Sequence, residues 1–299
     1  MDSRTKSVLC SCAEKYETRS FMYEGTGDPS QFMHAVEGDA NREATAFVAS
    51  ALSFGSRAQF LPKIQRIVDC AGRDVDRWIR TGAFERDFRP DDARCFYRFF
   101  TYATMNSFFR AYRGIMEEHG TLGVFVRSAA EGDAVKAVEA ICAKFREAGS
   151  EAVVPKDPKS ACKRVCMFLR WMVRSGSPVY LGLCSGFIDR RTLVIPLDTH
   201  VLQEAKKLGL VKSACASMCA ARMIGVASPT AVSNPKLRPT KCRSLSIVFG
   251  IPTTLIASFR FLHSVAISCA HRSDPSPPTQ KSRLMFIRAS VSTITPVSC

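Results

Sequence analysis

An all-α fold is the expectation from this sequence, and three observations lead to it. Segment after segment places apolar residues at i, i+3, i+4 and i+7, whereas the two-residue alternation of a strand is scarce. Of the 299 residues, 46% are hydrophobic and 23% charged, a globular mixture that excludes wholesale disorder, collagen and a coiled-coil rod. The chain is long enough for one or two cored helical lobes and shows no internal repeat.

Residues 1–24 read as an N-terminal segment with no long apolar stretch, so no signal peptide is expected. The helical domain is expected over residues 25–212. Its first clear helix runs from Asn41 to Gly55, with Ala44, Phe47, Val48, Ala51 and Leu52 inward. Asn41 is placed to cap it and Gly55 to end it. A second helix starts near Arg57, with Phe60, Leu61, Ile64, Ile67 and Val68 inward. Pro62 falls in its first turns, where a missing N–H is tolerated. Cys95–Glu118 reads as one or two aromatic-rich helices, and Asp133–Phe145 as another. Val153–Lys159 is a Pro/Lys loop. Ser160–Arg174 is a helix apolar over most of its surface, which belongs in a core. After a Ser/Gly/Pro turn and an apolar connector, Pro196 breaks the chain. Asp198 and Thr199 then open a helix that buries Val201, Leu202, Ala205 and Leu208 and ends at Gly209.

Charge separates the last stretch from the rest. The net charge is +15, which suggests a polyanionic partner. Residues 213–299 carry ten Lys/Arg and a single acid, Asp274, together with 8 of the 15 prolines and 15 serines. The first 212 residues hold 32 basic and 26 acidic side chains, so the main body is only mildly basic. The tail has no regular period, and its apolar triplets sit without pattern beside Pro and Thr. Three readings stand: a loose basic tail, a small divergent domain, or translation in a shifted frame. Met223-Ile224-Gly225-Val226 permits Asp-Trp when read from the third base of the Met codon.

Three cations on the Ser160–Arg174 helix carry the strongest functional signal of the body. Lys163, Arg170 and Arg174 fall within about 40° at ~100° per residue. Such a stripe is either a solvated edge with snorkelling stems or a surface that faces phosphate. Asp198 reads first as an N-cap, and His200 taken alone as a packed histidine. No metal-ligand cluster surrounds His200, and no metal or cofactor is expected. Thirteen irregularly spaced cysteines without an export signal point to reduced thiols and a cytoplasmic location. No uncharged apolar run reaches the ~18 residues of a membrane span, so no membrane partner is expected.

Leu197-Asp-Thr-His-Val201, followed by Lys207-Leu-Gly-Leu210, resembles a segment of the helix-hairpin-helix DNA glycosylases, the endonuclease III superfamily. A closer resemblance is to an uncharacterised bacterial family distantly related to them. It rests on Ser160-Ala-Cys-Lys-Arg164, Phe168-Leu-Arg-Trp-Met-Val-Arg174 and Ile195-Pro-Leu-Asp-Thr-His200. Asp28-Pro29, Asn41-Arg-Glu43 and Phe60-Leu-Pro-Lys-Ile64 add to it, so that it covers roughly Gly25 to Leu210.

The resemblance implies a helix-hairpin-helix glycosylase-like domain followed by an irregular, disordered tail, and DNA as partner. It implies that Asp198 stabilises positive charge at a sugar while an N-glycosidic bond breaks. It also implies that Lys163, or Arg164 in the alternative alignment, stands where bifunctional members carry a Schiff-base lysine. Lys163, Arg164, Arg170, Arg174 and His200 become the expected nucleic-acid contacts. The sequence departs from the superfamily in three places. Ser160-Ala161-Cys162 lacks the hairpin's Gly-x-Gly, Gly55 stands near the position of a DNA-wedging Gln, and the four-cysteine iron–sulfur pattern is absent. Three functions follow: a DNA glycosylase or glycosylase/lyase, a non-catalytic nucleic-acid-binding protein on the same scaffold, or a helical protein of unrelated role. If the tail replaces the family's closing helices, apolar faces lose cover and marginal stability is expected.

Overall fold

A computed structural model describes residues 11, 17–25, 27–155, 159–213 and 215–226. They are mostly helical, as expected. The helices are α1 (Arg19–Tyr23), α2 (Gln31–His34), α3 (Asp39–Leu52), α4 (Arg57–Cys70), α5 (Val75–Arg80), α6 (Tyr102–His119), α7 (Leu122–Ala129), α8 (Ala134–Glu147), α9 (Lys163–Val173), α10 (Thr199–Lys207) and α11 (Met218–Val226). No helix among the described residues is long and apolar enough to cross a membrane.

The core is built around α3. Phe47 lies 5.1–5.8 Å, ring centre to ring centre, from Phe168 of α9, Tyr112 and Phe108 of α6, and Phe145 of α8. Burying an aromatic of this size stabilises by roughly 2–3 kcal/mol before packing terms. Trp78 gathers Phe84, Phe88 and Phe109 into a second aromatic group. On α4 the five residues expected inward are all buried.

Three expectations are corrected. Asn41 does not cap α3: Gly38 does, and the Asn41 amide reaches across to the loop before α5. There it donates to the Arg73 carbonyl (2.8 Å) and accepts from the Val75 N–H (2.9 Å). Residues 95–101 are not helical. They form an antiparallel hairpin of β1 (Cys95–Tyr97) and β2 (Phe100–Thr101), turned by Arg98 at φ 52°. A short run rich in aromatics fits either period, and the left-handed residue decides for the turn. Finally, the fold continues past residue 212. Helix α11 buries Ala220, Ala221 and Ile224, and Ser160 bridges to Ser217. Residues 227–299, to which the tail readings largely apply, lie outside the described residues.

Candidate functional site

Two helix starts meet at the site. Asp198 precedes α10 and takes an extended conformation (φ −124°, ψ −175°), as an N-cap does. Its Oδ1 accepts from the Val201 N–H at 2.9 Å. Its Oδ2 accepts from Lys163 Nζ at 2.7 Å, at the first residue of α9. One carboxylate therefore caps a helix with one oxygen and holds an ammonium with the other. The two side chains remain 25% and 23% exposed, so the pair is reachable from solvent. An ion pair this open contributes at most ~1 kcal/mol, while the cap alone contributes about 1 kcal/mol. Stability thus explains the aspartate well and the lysine poorly.

The residue before Lys163 is under backbone constraint. Cys162 adopts φ 43° and ψ 39°, the left-handed region that glycine occupies at least cost. Its side chain and that of Ala161 are buried, and Cys162 Sγ lies 3.9 Å from Cys142 Sγ. The Ser160–Cys162 turn, which has no glycine, thus takes a glycine-like conformation at Cys162 but points side chains into the core.

The remaining expected contacts divide. Arg164 does not reach Asp198. It donates to the Ala51 carbonyl near the end of α3 (2.7 Å) and lies 5.0 Å from the Phe54 ring centre, and burial lowers its pKa to about 10. Lys163 and not Arg164 is therefore the amine beside the carboxylate. The basic stripe is covered unevenly: Lys163 and Arg174 are half-buried and Arg170 is buried. Arg170 is 8% exposed, with burial holding its pKa down at about 10. Its Nε and Nη2 donate to the Tyr180 hydroxyl at 3.2 and 2.8 Å, and Arg174 Nη1 donates to the same oxygen at 3.0 Å. The hydroxyl in turn donates to Glu17, which also pairs with Arg174 at 3.0 Å. The carboxylate that meets Arg170 and Arg174 comes from 153 or more residues earlier in the sequence. His200 is exposed on the first turn of α10 and is not a packed histidine.

Sequence reasoning missed the aromatic cluster next to Arg164. The Tyr97 hydroxyl donates to the Phe54 carbonyl, and Arg98 lies over both Phe54 (5.7 Å) and Phe99 (5.4 Å). The left-handed Arg98 cannot be read from periodicity. Among the described residues, no group of three or more His, Cys, Asp or Glu is arranged to hold a metal ion.

Residues 28–227 match the family described as a protein of unknown function, DUF2400. The chain belongs to that family. No curated protein and no solved structure matches it. The DUF2400 span takes in α2 to α11 and both halves of the Lys163–Asp198 pair, and it extends beyond the Leu210 limit read from the motifs.

Proposed function

We propose that this DUF2400 chain acts on DNA in the manner of a base-excision glycosylase, with Asp198 and Lys163 as the reacting pair. The observation that carries the reading is the 2.7 Å contact between a half-buried, solvent-reachable ammonium and a helix-capping carboxylate, 35 residues apart in sequence. A sugar laid against this pair would meet a negative charge where positive charge develops as the C1′–N bond breaks. The cap fixes that carboxylate, so little reorganisation would be needed. In the lyase variant, Lys163 passes a proton to Asp198 and its free amine bonds to C1′. The base leaves with the electrons of the glycosidic bond and takes up a proton. Ring opening then gives a Schiff base.

The test is borohydride trapping on an abasic-site duplex, with base release followed separately on duplexes that carry damaged bases. A covalent adduct with the wild-type chain that is lost in Lys163→Ala supports the lyase variant. Release of a base that is lost in Asp198→Asn, with no adduct, supports monofunctional chemistry. Absence of both overturns the catalytic reading. A second reading, nucleic-acid binding without chemistry, is favoured by the burial of Ala161 and Cys162 in the turn where a phosphate grip would need bare backbone. Salt-dependent DNA binding without either reaction would support it.

A further inference from the structure

Phe99 is the most exposed large apolar side chain among the described residues, at 78%. It stands at the tip of the β1–β2 hairpin, beside Arg98. From this tip a continuous stack runs inward. Arg98 lies 5.4 Å from the Phe99 ring centre and 5.7 Å from that of Phe54, and Arg164 lies 5.0 Å from the other partner, Phe54. The stack ends at Arg164, whose guanidinium is held by the Ala51 carbonyl at 2.7 Å. Gly55 allows the close approach. Its φ is +80°, and a Cβ there would meet Arg98 Nη1 at 2.7 Å and the Tyr97 hydroxyl at 2.9 Å.

We infer that the Arg98–Phe99 tip is a stacking platform for an unpaired nucleobase, and that the preferred partner is nucleic acid with unpaired bases rather than continuous duplex. The inference rests on the nucleic-acid reading above and names its substrate class. An aromatic face accepts any unpaired base, and an adjacent guanidinium without a carboxylate partner suits the neighbouring phosphate. None of the ion pairs among the described residues involves Arg98. Gripping a continuous duplex needs many free cations along the backbone. Of the cations expected to contact nucleic acid, Arg164, Arg170 and Arg174 are engaged within the fold, and the turn before Lys163 faces the core.

The experiment is fluorescence anisotropy of the full chain with a labelled single-stranded oligonucleotide, the same sequence as a duplex, and the duplex with a central bulge. The single strand and the bulge should bind more tightly than the duplex. Phe99→Ala should weaken single-strand binding about tenfold, within the range for loss of one base–aromatic stack, and Phe99→Trp should restore it. Because Phe99 is exposed, a melting curve should show the variant folded. Equal single-strand binding by wild type and Phe99→Ala, or tighter binding of the duplex, overturns the inference and leaves the proposed chemistry standing if the Lys163 adduct forms. Weakened binding in Phe99→Ala with no adduct and no base release keeps the platform and removes the chemistry. No binding to any of the three oligonucleotides overturns both.

Discussion

Replacing Glu43 with Gln should make the protein more stable than wild type above about pH 5, by a margin that grows with pH. Glu43 lies on α3, 6% exposed, and its Oε1 accepts from the Gly123 N–H at 3.1 Å, at the start of α7. Burial pushes its carboxyl up from 4.5 to about 7. The N–H groups of Gly123 and Leu122 and the Thr121 hydroxyl pull the other way, and Asp76 adds to the rise. Tyr112 and Cys184 are the other titratable groups that feel its charge. The folded state therefore holds the Glu43 proton more tightly than the unfolded chain does. The stabilisation is fully present below about pH 4.5 and is lost as pH rises to about 7. A rise from 4.5 to about 7 corresponds to roughly 3 kcal/mol. Glutamine keeps the acceptor and the volume but carries no charge. Urea unfolding of both chains across this pH interval should show the variant equal to wild type at the acid end and up to about 3 kcal/mol more stable at pH 8. Parallel stability profiles would refute a buried, proton-binding Glu43.

Two further perturbations separate structure from chemistry. Asp198→Asn keeps a capping oxygen and should leave stability nearly unchanged, while Asp198→Ala should cost about 1 kcal/mol by urea unfolding. Both should abolish adduct formation with abasic DNA, so a variant that loses the cap yet still reacts would contradict the assigned role. Tyr180→Phe removes the oxygen shared by Arg170, Arg174 and Glu17 and should cost about 1–3 kcal/mol. Binding of single-stranded DNA should not change with it, because Arg170 and Tyr180 are buried and Arg174 keeps its pair with Glu17.

Local signals in the sequence carried much of this architecture. Phe60, Leu61, Ile64, Ile67 and Val68 fix the buried face of α4 by spacing alone, and Asp198 announces its cap by standing before a periodic apolar run. The motif resemblance singled out Asp198 and left Lys163 and Arg164 as alternatives; the contact that joins Lys163 to Asp198 across two helix starts comes from the fold. What was not legible depends on distant partners. The angular clustering of Lys163, Arg170 and Arg174 is real, but Glu17 and Tyr180 absorb the last two, and no helical period reveals a carboxylate from the other end of the chain. Asn41 was assigned to its own helix because its partners, Arg73 and Val75, lie more than thirty residues away. The hairpin was hidden because Phe and Tyr suit both helix and strand, and only the turn at Arg98 distinguishes them.

The clasp formed by Glu17 has a practical consequence for dissecting the chain. A truncated version starting at residue 25, where the motif resemblance begins, would discard the acid that, among the described residues, pairs with both guanidiniums, and would expose a doubly cationic notch at the far end of α9. Such a fragment would acquire affinity for polyanions by amputation. Its retention on heparin or DNA resin would say nothing of the intact protein, and any binding survey should begin upstream of Glu17.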